Sequence, residues 1–174
     1  RYPLIVDAHN NVLSFPPIIN GSLTEVTPYT TELFIDVTGT DKKAINYALN
    51  IVTTALAERG GKLYQTTVCD EGKNILCPDL TPLKKQVSTA FVNKVLGTTL
   101  TKEDIVLCLK KMGHDALDAG DGIIQVNVAA WRSDILHEVD LIEDVAVGYG
   151  FDRFTSDFPK ALTFGRTLPQ HHLL

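Results

Sequence analysis

The chain has 174 residues, 44% hydrophobic and 21% charged, with a mean hydropathy of +0.05. It is too apolar for a disordered tail and long enough for one ample core or two small domains. Its uninterrupted apolar runs are a few residues long, far short of the roughly 18 needed to span a bilayer, so no membrane span is predicted. The net charge of −5 argues against a free-standing domain held to nucleic acid by phosphate contacts.

In chain order, Arg1 to Asp7 reads as a strand already under way and lacks a signal-peptide pattern, which predicts an internal piece of something longer. Val12 to Ile19 is apolar but carries Pro16 and Pro17, which argue against a central strand, and Asn20-Gly21 predicts a turn. Leu33 to Thr38 alternates and is rich in β-branched residues, which predicts a strand ending at Gly39-Thr40-Asp41. Ala44, Ile45, Ala48, Leu49, Val52, Ala55 and Leu56 recur at three- and four-residue steps, so 41–59 reads as an amphipathic helix capped by Asp41 and stopped by Gly60-Gly61. Leu63 to Cys69 returns as a strand, which completes a strand-helix-strand unit.

Asp70 to Pro82, with Gly72, Pro78 and Pro82, is the expected domain boundary. Beyond it, Gln86 to Val92 is strand-like, and Thr101-Lys102-Glu103-Asp104 predicts a capping box opening a helix with Ile105, Leu109 and Met112 inward and Gly113 as its stop. Gly120-Asp121-Gly122 predicts a turn, Ile123 to Val128 a strand, and 136–149 a final helix. The fold class is thus α+β: a partial α/β unit followed by a small winged-helix-like domain.

Charge is unevenly spread. Residues 81–111 hold six lysines against two acids, whereas 112–157 hold ten acids against Arg132 and Arg153. The lysine-rich stretch motivates an alternative function, an autonomous winged-helix-like nucleic-acid-binding module, beside ordinary solvated helix faces. Cys69, Cys77 and Cys108 are odd in number and fit neither a disulfide framework nor a zinc pattern, which predicts reduced thiols in a cytoplasmic protein.

The densest acidic group is Asp134, Glu138, Asp140, Glu143 and Asp144. At 100° per residue, Ile135, Val139, Ile142, Ala146 and Tyr149 share a face, and Asp140, Glu143 and Asp144 fall away from it as an outward patch. Such carboxylates suit a hard cation such as Mg²⁺; from spacing alone, a solvated helix face at the positive helix N-terminus is the competing reading. Gly39-Thr40-Asp41-Lys42-Lys43 lacks the phosphate-loop spacing, and the five histidines, 9, 114, 137, 171 and 172, are scattered with no triad legible.

Two blocks carry a family resemblance. Val12-Leu13-Ser14-Phe15-Pro16-Pro17-Ile18-Ile19-Asn20-Gly21 with Phe34-Ile35-Asp36-Val37-Thr38-Gly39-Thr40-Asp41, and Trp131-Arg132-Ser133-Asp134-Ile135 with Glu138 to Ala146 and Gly148-Tyr149-Gly150-Phe151-Asp152, closely resemble the beta subunit of archaeal and eukaryotic cytosolic phenylalanyl-tRNA synthetase. The resemblance implies that 1–80 is the end of the editing domain, 81–154 the fifth, scaffold domain, and 155–174 a linker toward a catalytic-like module. It implies a class II aminoacyl-tRNA synthetase working as an α2β2 heterotetramer with an alpha subunit, phenylalanine tRNA, ATP and Mg²⁺, located in the cytoplasm. Asp134, Asp140, Glu143 and Asp144 match acids assigned there to a Mg²⁺ shared with the alpha subunit; this chain has Ala129-Ala130 where the family usually has a proline. Leu4, Ser14, Asp36 and Thr38 fall where the pocket that hydrolyses mischarged tyrosyl-tRNA is lined. None of the five arginines stands in an Arg-x-Glu motif, so the resemblance implies no adenylate chemistry in this chain and inactivity on its own.

Overall fold

The computed structural model describes residues 4–19, 21–156 and Gly165. The expected turn at Asn20 and the linker beyond 156, apart from Gly165, lie outside the described residues. The chain divides into two compact units, Arg1–Val37 and Thr38–Leu174, so the boundary expected at 70–82 falls inside the second unit.

In the first unit, β1 (Ile5–Val6), β2 (Val12–Phe15) and β3 (Ile18–Ile19) form an antiparallel sheet in the order β1-β2-β3. Asp7 closes the β1-β2 turn by accepting the backbone N–H groups of His9 and Asn11 at 2.8 and 2.9 Å. β2 is therefore a central strand, contrary to the expectation drawn from Pro16 and Pro17. Both prolines sit between β2 and β3, where the missing N–H costs no ladder bond. A 3-10 turn follows at Ser22–Thr24. The strand expected over Leu33 to Thr38 forms no ladder among the described residues, with Leu33 and Phe34 exposed. A period-two pattern licenses a pleat but supplies no neighbour to pair with.

The second unit opens with α1 (Lys42–Glu58), where Asp41 Oδ1 accepts the Ala44 N–H at 2.7 Å. Its buried residues are polar. Asn50 and Thr53 face inward while Ala44, Ala48, Val52 and Ala55, expected to be core positions, are exposed. Asn50 Nδ2 donates to the Asp79 and Ala130 carbonyls at 2.9 and 3.1 Å. Antiparallel β4 (Thr66–Asp70) and β5 (Lys73–Cys77) follow, so the expected linker is largely a hairpin turning at Glu71-Gly72.

β6 (Leu83–Ser88), β7 (Asp115–Gly120) and β8 (Ile123–Val128) form an antiparallel sheet in the order β6-β8-β7. The strand expected over 86–92 ends at Ser88, whose Oγ caps α2 (Thr89–Leu96), a helix the apolar run concealed. α3 (Lys102–Lys111) has the predicted Thr101–Asp104 capping box, and α4 (Glu138–Tyr149) closes the domain. The β7-β8 turn holds Gly120, Asp121 and Gly122 all at positive φ, as a tight two-glycine turn requires.

Helices α2, α3 and α4 and the sheet enclose one core. Val87, Val92, Ile105, Leu109, Ile124, Val126, Leu141 and Val145 are fully buried. Alternate residues of β8 enter it, as its period-two pattern predicts. The α+β class is as expected, with all strand pairing antiparallel. Among the described residues no helix is long and apolar enough to cross a membrane.

Candidate functional site

The loop from β8 to α4 carries the aromatic-arginine-acid block, and a charged cluster forms where it meets His114 at the end of α3. Asp144 does not lie on an outward patch. It is 5% exposed, on the inner face of α4 beside Leu141 and Val145. The buried arc of the helix runs through Leu141, Ile142, Val145 and Ala146, whereas Val139, expected in the core, is about half exposed. The 100° projection placed the face by its apolar residues and could not register an acid neutralised from within.

Asp144 Oδ2 lies 2.6 Å from His114 Nε2, and its Oδ1 accepts Arg132 Nη2 at 3.0 Å. Arg132 also grips Asp134 through Nε at 2.9 Å and Nη2 at 2.7 Å, a two-point guanidinium–carboxylate contact. Hydrogen bonding by Arg132 holds the Asp134 carboxyl well below its ordinary 3.8, at about 2, and Asp134 with Asp144 raises the Arg132 guanidinium further above its usual range. With Asp144 accepting from Arg132, the short contact puts a proton on His114 Nε2. The Arg132 Nη1 atom 3.5 Å away is then a neighbouring charge rather than a donor to that nitrogen. His114 Nδ1 is buried without a partner among the described residues. One cation thus binds two carboxylates and braces the loop against α4, which the Asp144–His114 contact ties to the end of α3.

The remaining acids act separately. Asp140 Oδ2 accepts the Leu136 and His137 N–H groups at 2.7 and 2.6 Å, which caps α4 and lowers the Asp140 pKa. Glu143 is exposed. Glu138 Oε1 accepts the Ser88 N–H at 2.8 Å and ties α4 to β6. A hard cation needs several oxygens facing one point. Asp134 and Asp144 already face Arg132, Asp140 faces backbone donors, and no group of three or more His, Cys, Asp or Glu side chains is gathered for a metal among the described residues. As arranged, Asp134, Asp140, Glu143 and Asp144 do not fit a Mg²⁺ ion.

The four editing-pocket positions divide between the units. Leu4 is exposed and precedes Ile5, which pairs with Ser14 across the β1-β2 ladder, so these two are neighbours. Asp36 is exposed near the end of the first unit, and Thr38, also exposed, opens the second. The lysine stretch is partly consumed by the fold: Lys85 Nζ donates to the Leu136 carbonyl at 2.7 Å, Lys111 Nζ to the Gly148 carbonyl at 3.1 Å, and Lys102 pairs with Asp118 at 3.0 Å. All three cysteines are free, and burial pushes the Cys108 thiol up.

Residues 85–151 match the tRNA synthetase B5 domain family. The phenylalanine–tRNA ligase beta subunit of Methanothrix thermoacetophila is 46% identical over 99% of this chain and 32% of its own length. That of Methanococcoides burtonii is 47% identical over 97% and 32%. Over nearly its whole length the chain is homologous to a part of phenylalanine–tRNA ligase beta subunits. It spans about a third of the length of these beta subunits. A crystal structure of an N-terminal fragment of the phenylalanyl-tRNA synthetase beta subunit from Pyrococcus horikoshii has the same fold, with a TM-score of 0.82 and 41% identity, covering 86% of this chain and 43% of that one. Within the B5 match fall all four members of the charged cluster, His114, Arg132, Asp134 and Asp144. Sequence reasoning grouped Asp134 and Asp144 but missed His114. The available signal was a histidine directly after the Gly113 helix stop, the position that enters the core between α3 and β7.

Proposed function

We propose that this chain serves as a scaffold segment of a phenylalanine–tRNA ligase, in which a B5 domain braced by the Arg132 cluster holds its place beside a partner subunit while the ligation chemistry is done elsewhere. The observation that carries this reading is near-complete coverage of the chain by beta subunits at 46% identity. In the assembled α2β2 enzyme, the alpha subunit performs aminoacylation of phenylalanine tRNA with ATP in the cytoplasm. This chain, without an Arg-x-Glu motif, contributes shape and surface.

Residues around β1 and β2 contribute to the removal of mischarged tyrosine. Ser14, Asp36 and Thr38 are polar groups of the kind that engage a phenolic hydroxyl, and phenylalanine leaves such groups unpaired. The nucleic-acid-binding alternative is less favoured, because Lys85, Lys102 and Lys111 already have intramolecular partners.

The test is co-purification. The full-length beta subunit bearing this segment should co-elute with a second chain that carries class II synthetase motifs. A beta subunit that elutes alone from its own host would contradict the reading.

A further inference from the structure

A cleft of about 310 Å³ lies between the turn joining α2 to α3 and the end of α4. The turn is rigid. Asn93 Oδ1 accepts the Thr98 hydroxyl and the Leu100 N–H, each at 2.8 Å, and Asn93 Nδ2 donates back to the Leu100 carbonyl at 2.9 Å. These bonds saturate Thr98 and Leu100 and leave Thr99 between them with neither its N–H nor its hydroxyl bonded to any described residue.

Across the cleft, the Arg153 guanidinium stacks on the Tyr149 ring, 5.2 Å from its centroid, and Phe154 packs edge-on against the same ring at 5.4 Å. Arg153 makes no ion pair and its guanidinium no hydrogen bond among the described residues, and the lining includes no carboxylate, although exposed Asp152 is its chain neighbour. Stacking takes the face of the guanidinium and leaves its edge of N–H donors free. Thr155 supplies a further hydroxyl on that side. Arg153, Thr99 and Thr155, all exposed, thus line one cleft from two separate elements.

We propose that this cleft is an oxyanion site that takes a phosphate group, with Arg153 and Thr99 as its principal donors. A tetrahedral oxyanion accepts from several directions at once, and a guanidinium and a threonine that line one cleft can each supply a donor. The site is separate from the Arg132 cluster and does not depend on the ligase reading.

The test is a heteronuclear NMR titration of the 174-residue chain with inorganic phosphate, repeated with a short single-stranded RNA lacking terminal phosphates and with sodium chloride at matched ionic strength. The expected result is saturable movement of the Thr99 amide and the Arg153 side-chain signal with phosphate and not with chloride. Arg153→Gln should weaken binding about tenfold, the scale of one lost charge-assisted contact. If RNA competes with phosphate, the source is a phosphodiester backbone; if only inorganic phosphate binds, the source is a small phosphate, and either result supports the site. Thr99→Ala with Thr155→Ala, both at exposed positions, keeps the test readable should Arg153→Gln unfold, and should also weaken binding. Absence of saturable movement, movement matched by chloride, or unaltered affinity in both the Arg153→Gln and the double threonine variants would overturn the proposal.

Discussion

Asp144 and His114, thirty residues apart, meet at 2.6 Å inside the domain, with the His114 side chain fully buried and the Asp144 side chain 7% exposed. The pair fastens α4 to the end of α3, and Arg132 extends it to the surface acid Asp134. Removing Asp144 leaves Arg132 with Asp134 as its one carboxylate and takes the acceptor from buried His114. Asp144→Ala should therefore cost about 3–5 kcal/mol, the range for breaking one side of a buried pair. Glu143→Ala, one position earlier and exposed, should stay within about 0.5 kcal/mol of the parent. Urea unfolding of both variants checks the contrast; equal losses would contradict the placement of Asp144.

Asp134 predicts a specific pH dependence. Its carboxyl is depressed from 3.8 to about 2, so its contribution is fully present above the unfolded value and is lost as pH falls through the folded one. Because the Asp134 side chain is 61% exposed, solvent screening keeps this contribution within about 1 kcal/mol. The stability difference between the parent and Asp134→Asn should level off above about pH 4, shrink as pH falls toward 2 and vanish below it. A difference growing toward low pH would contradict the assignment.

Asn50 should prove more important to α1 than any of that helix's apolar residues. Asn50→Ala removes both bonds to the Asp79 and Ala130 carbonyls and should cost about 1–3 kcal/mol, with faster amide exchange along α1. Val52→Ala, at an exposed site, should leave exchange unchanged. Protection of α1 that survives Asn50→Ala would show the helix is held by other contacts.

Gly148 marks the close crossing of α3 and α4. A Cβ there would lie 2.9 Å from the Cys108 Cα and crowd the Cys108 carbonyl, which is rigid helix backbone. Gly148→Ala should destabilise by about 1–3 kcal/mol through overpacking, read as a lower thermal midpoint. The same change at Gly21, which has open space around it, should be near neutral.

Legibility in the sequence followed how local each determinant was. Asp41, the Thr101–Asp104 box and Gly113 are read from adjacent residues, and the structure has α1 and α3 where those signals lie. Ser88 and Gly97 bound α2 equally well, but Val87, Phe91 and Val92 look alike in a strand or a short helix, and the run concealed the cap between them. Leu33 to Thr38 shows the opposite failure, a strand pattern without a ladder among the described residues. The orientation of α4 was least legible, because Asp144 is buried through His114 and Arg132, which are distant in sequence and invisible to a helical projection.

The same geometry makes a prediction about Mg²⁺. With Asp134 and Asp144 engaged by Arg132 and Asp140 by backbone N–H groups, millimolar Mg²⁺ should leave the thermal midpoint of this chain where equal ionic strength of NaCl leaves it. A Mg²⁺-specific rise would show that the acids regroup around the ion.

The most direct measurement is phenylalanine-dependent exchange of pyrophosphate into ATP, run on this chain alone and on the full-length beta subunit co-expressed with its class II partner. A scaffold role predicts no exchange by the chain and robust exchange by the assembly. Exchange by the 174-residue chain alone, or none by the assembled pair, would contradict it.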